Sequence, residues 1–327
     1  MKTRNNYKNN NLILFSVIIP VKKFNNYIIE TIDHIKKQKY KKLEIIILPN
    51  YIEKKTLKYK NKNLKIIATK KISPGRKRDI GSNLSRGKYL VFLDDDSYPA
   101  KNFFKVAENE LSKKNIVAIG GPGITPKSNT IGQKISGAFF LTKVTGGNPE
   151  RYISIKPKKY VDDWPSVNLI IKKKIFQMIG GFNNDYWPGE DTILCNKLGT
   201  LLGKRILYVP NLIVYHHRRE GLLRHLYQIG NYALHRGFFA KKYPENSFKL
   251  FYFIPSIFLI CLIFSIILSF TFSIVPLVML FLAYLIVMII GLLDIKKVEN
   301  LSISIQVLPY IFFSHLIYGF NFIRGIL

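Results

Sequence analysis

Between residues 13 and 93, apolar runs alternate with segments of helical spacing. Leu14–Ile19 is closed by Pro20 and Leu43–Leu48 by Pro49; Leu64–Ala68 and Tyr89–Leu93 continue the series. Nearly unbroken Val, Ile and Leu runs of this length are what parallel strands buried on both faces present. Between the first two, Ile28, Ile32 and Ile35 recur at helical spacing within Tyr27–Lys37, and Gly75–Leu84 reads as a second helix. The alternation predicts a doubly wound α/β domain. In such sheets ligands bind past the carboxyl ends of the strands. Pro20-Val21-Lys22, Pro49-Asn50, Thr69-Lys70 and Asp94-Asp95-Asp96 then share one edge.

Further along, the pattern predicts a helix near Ala100–Leu111, a strand at Ile116–Gly120 and a turn at Gly120–Gly123. Residues 127–160 show no regular period. Lys172–Met178 and Leu194–Leu202 read as helices, Arg205–Val209 and Leu212–Tyr215 as short strands, and Leu222–Tyr243 as a basic amphipathic helix. From Leu250 to Leu293 there is no charged residue. As one helix that run would measure about 66 Å, twice a hydrocarbon core of roughly 30 Å. It therefore predicts two crossing helices, at about 250–270 and 274–293, with the turn near Ser269–Ser273. A third apolar segment, about 303–325, carries His315, Asn321 and Arg324; it either spans or lies in the interface. The resulting division is a basic tail (1–12), an α/β domain (13–220), a basic helical connector (221–248) and a membrane region (249–327).

Charge sharpens this picture. The 327 residues include 50 Lys and Arg against 20 Asp and Glu, a net +30. All but three of the basic groups precede residue 250, and the short Asp294–Asn300 loop carries two lysines. Both facts favour a cytoplasmic α/β domain on an inner or plasma membrane crossed more than once; the excess charge either draws the domain to anionic membrane lipid or is a Lys, Asn and Ile bias of the coding genome with no functional meaning. The lysines are scattered, with no basic helix alternating with aromatic platforms, so nucleic acid is not the expected partner. Cys195 and Cys261 have no metal-ligand spacing and imply neither zinc nor a disulfide, which suits a reducing cytosol.

Four polar clusters carry candidate chemistry. Asp94-Asp95-Asp96, at the end of a buried strand, is either a divalent-metal and diphosphate site or an acidic turn capping the next helix. Trp187-Pro188-Gly189-Glu190-Asp191 opens a helix, where acids either serve as a general base or satisfy the helix dipole. Tyr215-His216-His217-Arg218-Arg219 offers an imidazole for a metal and guanidinium groups for diphosphate, or is a basic turn. In Gly75-Arg76-Lys77-Arg78-Asp79-Ile80-Gly81, an arginine at a helix start faces the binding edge with Asp79 to orient it, or the segment is a solvated helix end.

The ordered set Ser16–Pro20, Arg78-Asp79-Ile80-Gly81, Phe92–Asp96, Gly180-Gly181-Phe182 and Gly189-Glu190-Asp191 resembles the family 2 glycosyltransferases, over about residues 14–220. The Pro188–Thr192 and His216–Arg219 stretches, with Gly230–Gly237, are similar to the membrane-attached branch that builds cell-surface glycans. The resemblance implies a GT-A fold and inverting transfer of a sugar from a nucleotide-sugar donor to a lipid-linked or membrane-proximal glycan acceptor. It implies Asp94 and Asp96 as the DxD pair around Mg²⁺ or Mn²⁺, with Asp94 near the ribose or the metal and His217, or His216, as a late metal or phosphate contact. Asp191 would be the base, supported by Glu190. Pro20, Asn50, Arg78, Asp79, Asp94 and Arg218 would line the donor side; Gly181, Phe182 and Trp187 would lie toward the acceptor. Apart from the resemblance, the polar cluster Asp162–Asn168, with Asp163 and Asn168, either contacts acceptor or donor sugar or is a simple turn. One departure is plain: the family commonly ends its second strand in Asp-Asp-Gly-Ser, whereas here Asn50 follows Pro49. Transfer to polyprenyl phosphate itself, or a catalytically silent scaffold of a glycan-assembly complex, are the alternatives.

Overall fold

The structure, a computed structural model, describes residues 13–327 except Gly146 and Asp185. The basic tail expected at 1–12 lies outside the described residues. The chain divides into two compact units: one built from residues up to Gly121 together with Lys158–Val214, the other from Pro122–Pro157 together with Tyr215–Leu327. Its helices, in chain order, are α1 (Asn26–Lys37), α2 (Pro74–Leu84), α3 (Phe103–Leu111), α4 (Ile131–Ala138), α5 (Lys173–Met178), α6 (Glu190–Leu202), α7 (Leu222–Lys242), α8 (Pro244–Ser247), α9 (Ile254–Thr271), α10 (Val275–Lys296), α11 (Leu301–Gln306) and α12 (Leu308–Ile326).

The first unit is organised on an eight-stranded sheet. Strands β1 (Phe15–Pro20), β2 (Leu43–Leu48), β3 (Leu64–Ile66) and β4 (Tyr89–Phe92) run parallel in the order β3-β2-β1-β4. Beyond β4 the sheet continues through Leu169–Lys172, which runs antiparallel, then Ala118–Gly120, Ile206–Tyr208 and Lys159–Val161. The chain winds from β1 outward to β3, then returns to place β4 on the other flank of β1. The carboxyl ends of β1 and β4 thus diverge at a topological switch point, where open α/β sheets form their ligand crevice. Alternate residues of each strand feed opposite layers. Val17, Ile19, Ile45, Ile47 and Val91 pack with Ile28, Ile32 and Ile35 of α1 and Phe103, Phe104 and Ala107 of α3. Ile18, Ile46, Leu90 and Phe92 pack on the other face with Phe176, Phe182, Leu194 and Leu198.

The parallel half agrees with the sequence pattern in element order, with β1 shifted by one residue to take in Pro20, β3 ending at Ile66 rather than Ala68 and β4 at Phe92 rather than Leu93. Two expectations need correcting. Residues 127–160 are not irregular throughout: α4 forms there, started by a capping box in which Thr130 Oγ1 accepts from Gln133 N and Gln133 Oε1 from Thr130 N. The helix expected from Ala100 begins at Phe103. The second unit is all helical apart from short segments. Its core joins Ile135, Phe139 and Phe140 to Ile229, Ile295, Ile303, Val307 and Ile311.

One buried acid stabilises the parallel half. Glu44, within β2, accepts from Ser16 Oγ at 2.8 Å, Arg86 N at 2.5 Å and Arg86 Nε at 2.9 Å. Burial alone would raise its pKa. The Arg86 backbone N–H, the Ser16 hydroxyl, the Arg86 guanidinium and Lys65 together outweigh burial and hold it below the ordinary value. A depressed folded pKa contributes stability above the unfolded value of about 4.5, and this is lost as pH falls through the folded one. Acid unfolding below about pH 4.5 should therefore be shallower in Glu44→Gln, read by fluorescence or circular dichroism against pH. Identical acid limbs for the two proteins would remove Glu44 as the source.

Candidate active site

Three consecutive residues of α2 organise the crevice, because neighbours on a helix fan out by about 100°. Lys77 turns toward the sheet. Its Nζ donates to Val21 O at 2.5 Å, Leu48 O at 3.1 Å and Asn50 Oδ1 at 2.6 Å, beyond the ends of β1 and β2. Arg78 turns toward the acids. Asp79 turns toward the loop after α5, where its carboxylate accepts from the backbone N–H groups of Phe182 and Asn183, both at 2.9 Å. The α2 helix approaches the strands closely because Gly81 has no side chain; a Cβ there would come within 2.6 Å of Ile18 Cγ2. Gly181 is required for a different reason. Its φ is +62°, and a Cβ would press on Asp79 Oδ1.

Arg78 links the two acidic motifs. Its NH1 donates to Glu190 Oε1 at 2.8 Å and its NH2 to Asp94 Oδ1 at 2.6 Å. The guanidinium is buried, with its carbon 5.5 Å from the Phe182 ring centroid. Phe182 itself is fully buried between Phe92 and Phe176. Burial first, and the Asp191 charge second, push the Glu190 carboxyl above its ordinary pKa, against the pull of Arg78. Asp191 is oriented by two backbone N–H groups, Ser166 N to Oδ2 at 3.1 Å and Thr192 N to Oδ1 at 2.9 Å.

The acidic triplet divides by position. Carboxylate oxygens of Asp94 and Asp96 lie within 4.8 Å of each other. Such a pair of hard oxygen donors fits Mg²⁺ or Mn²⁺. Asp95 accepts from Asn25 Nδ2 at 3.3 Å, and burial, then the charges of Asp96 and Asp94, push it up to about 7.

The remaining candidates fall in several places. Pro20 ends β1, and Asn50 is buried beside Lys77. Asn168 is fully buried and donates from Nδ2 to Leu212 O at 2.6 Å, a bond internal to the fold. Asp163 is buried, while Trp187 is largely exposed. His217 and Arg218 belong to the other unit. There, His217 Nδ1 lies 2.5 Å from Asn129 Oδ1. Arg218 donates to Thr125 Oγ1, Gly123 O and His216 Nδ1, and lies over the Phe140 and Tyr152 rings. Two functional groups are absent from the sequence reading as individual residues: Lys77, and the Ser166 backbone N–H that orients Asp191. Four charged residues in succession within a short helix were the available signal for Lys77, since they cannot all face water.

Residues 16–176 match the family model described as Glycosyl transferase family 2. The chain is a family 2 glycosyltransferase, an enzyme that transfers a sugar from a nucleotide-sugar donor, on a GT-A-like α/β fold. It is 22% identical over 230 residues to glycosyltransferase GlyG of Streptococcus pneumoniae, covering 64% of this chain and 73% of GlyG. It is 31% identical over 105 residues to the poly(ribitol-phosphate) β-N-acetylglucosaminyltransferase TarS of Staphylococcus aureus, a match that spans 29% of this chain and only 18% of TarS. Its fold resembles the mannosyltransferase PcManGT from Pyrobaculum calidifontis, solved with GDP-Man and Mn²⁺. That likeness has a TM-score of 0.56 at 14% identity, over 95% of this chain and 86% of the other.

Proposed function

We propose that this enzyme is an inverting, divalent-metal-dependent glycosyltransferase acting on a lipid-linked or membrane-proximal glycan acceptor at the cytosolic face of the cell membrane. The observation that carries the reading is the Arg78 bridge, which draws Asp94 and Glu190 onto one guanidinium. The metal motif and the helix start bearing Asp191 thereby belong to one assembly. Asp94 and Asp96 would hold Mg²⁺ or Mn²⁺, whose positive charge offsets the charge that develops on the leaving nucleoside diphosphate. Asp191, oriented from two sides, takes the proton of the acceptor hydroxyl as that oxygen attacks the anomeric carbon and the bond to the diphosphate breaks. Glu190 and Arg78 hold the start of α6 in place.

Three helices, Ile254–Thr271, Val275–Lys296 and Leu301–Ile326, are long and apolar enough to cross a membrane. In our reading the first two form a crossing hairpin that keeps the enzyme beside its acceptor and its lipids. The test is nucleotide release by purified protein with Mg²⁺ or Mn²⁺ and a panel of UDP-, GDP- and dTDP-sugars, with polyprenyl phosphate and lipid-linked glycan as separate acceptors. Acceptor-stimulated release from one donor class is expected. Label appearing on bare polyprenyl phosphate alone would replace the glycan acceptor, and no release from any donor with either metal would overturn the reading.

A further inference from the structure

By length and composition the last long helix qualifies as a third crossing. Its packing within the second unit says otherwise. α12 lies side by side with α7, and the contacts advance together along both helices. His225 meets Tyr310 with ring centroids 5.1 Å apart. Gly230 abuts Asn321, and a Cβ on Gly237 would strike Phe322 O. Lys241 Nζ donates to Ile326 O at 3.2 Å. The two helices are therefore parallel neighbours from residue 225 to 241 of one and 310 to 326 of the other. Any path that α12 takes, α7 takes with it.

α7 cannot cross a bilayer. Arg224, Gln228, Asn231 and His235 fall on one stripe at spacings of four, three and four, with Arg236 beside them. Arginines within a crossing helix are costly to insert, before the amides are counted. α7 is not among the helices apolar enough to span.

Two further contacts set the depth of α12. His315 ring nitrogens lie 2.9 Å from Tyr284 Oη and 2.9 Å from Val144 O. Val144 sits in the short Lys143–Thr145 turn, and the neighbouring Thr142 donates to Asp294 near the end of α10. Irregular backbone of this kind is tolerated at hydrocarbon depth only when walled off by protein. Gly319, near the middle of α12, packs on Pro255 and Ser256 in the first turn of α9, with Ser256 Oγ donating to Gly319 O at 3.0 Å. Gly319 thus meets the first turn of α9, while His315 reaches Tyr284, midway along α10. Of the most apolar stretch of Leu301–Ile326, 39% is buried within the protein, against 17% for that of α9 and 6% for that of α10. Exposed on α12 are Pro309, Phe313, Phe320 and Arg324, followed by Leu327; Phe313, Phe320 and Leu327 recur at intervals of seven with Arg324 between the last two.

We propose that α12 is not a third crossing: it lies with α7 along the headgroup layer of the membrane, its Phe313 and Phe320 side chains dipping into the acyl boundary, Leu327 at the water-accessible headgroup level, and the base of the α9–α10 hairpin standing on it. The occupant of that face is the bilayer, argued from its apolar chemistry and from the basic groups next to it: Arg324, over the Phe320 ring, and Lys241, bonded to Ile326 O. The inference rests on the reading of α9 and α10 as a crossing hairpin, and its test is separable from it. Single cysteines replace Val298, before α11, and Leu327, after α12, in the full chain in native membranes. Labelling by an impermeant maleimide is compared between intact and permeabilised cells, with the parent protein for background. Val298→Cys and Leu327→Cys are expected to label from the same side. Labelling from opposite sides, or a cysteine at 327 that no reagent reaches even after permeabilisation, would overturn the proposal. Phe272→Cys at the hairpin tip reads the hairpin itself: its appearance on the side opposite 298 supports the crossing, and its appearance on the same side sinks that reading alone.

Discussion

Replacing Asp96 by asparagine should abolish most nucleotide release while leaving the protein folded. The change removes one of two carboxylates that can hold a divalent cation and keeps the side-chain shape. Charge stabilisation by a metal at a leaving group is worth several kcal/mol, so the expected fall in kcat/KM is on the order of a thousandfold. Two features make the result diagnostic. The loss should shrink as Mn²⁺ is raised, because the weakened site then refills. Asp95→Asn, altering the acid that pairs with Asn25 Nδ2, should lose far less. Activity within tenfold of the parent in Asp96→Asn, or no dependence on metal concentration in either protein, would move the metal away from the triplet.

The contrast within Asp94–Asp96 also shows where pattern reasoning stops. Alternation along a strand would set Asp95 against Asp94 and Asp96, yet β4 ends at Phe92 and the acids lie beyond the pleat. Asp95 is set apart by tertiary contact with Asn25, not by strand period. The parallel strands were legible because each is a local apolar run, and β2 spans the residues its pattern predicts. The antiparallel strand Leu169–Lys172 was not, although Leu169-Ile170-Ile171 is equally apolar. Its partners, Tyr89–Phe92 and Ala118–Gly120, lie some fifty to eighty residues away, and nothing local announces them. α4 had a local signal in Thr130 and Gln133, but Gly132, Ser136 and Gly137 dilute its helical propensity. At the site, the acidic motifs were readable as separate clusters. That Arg78 joins them, and that Phe182 is its apolar platform, is a property of the packed structure alone.

Arg78 is accordingly the residue whose loss should cost the fold most. Its guanidinium lies between Asp94 and Glu190 and is almost inaccessible to water. Arg78→Met keeps much of the volume and the contact with Phe182 but withdraws the cation. Breaking a buried ion cluster from one side typically costs about 3–5 kcal/mol, because the remaining charges stay desolvated without a counter-ion. For a chain of this size each kcal/mol lowers the melting temperature by roughly 2–4 °C, so a fall of about 10 °C is expected. Arg78→Lys should recover little, since one ammonium lacks the fork that reaches both carboxylates. Arg78→Met with Glu190→Gln should be more stable than Arg78→Met alone, the coupling showing that the partner's charge was the burden. The pH dependence gives an independent sign. Glu190 already binds its proton more tightly in the folded state than in the unfolded one, from burial and from Asp191. Without Arg78 that preference grows, so the penalty in Arg78→Met should ease as pH falls toward the unfolded carboxyl range. A penalty independent of pH, or a double variant no better than the single one, would mean that Arg78 acts through its packing on Phe182 rather than through its charge.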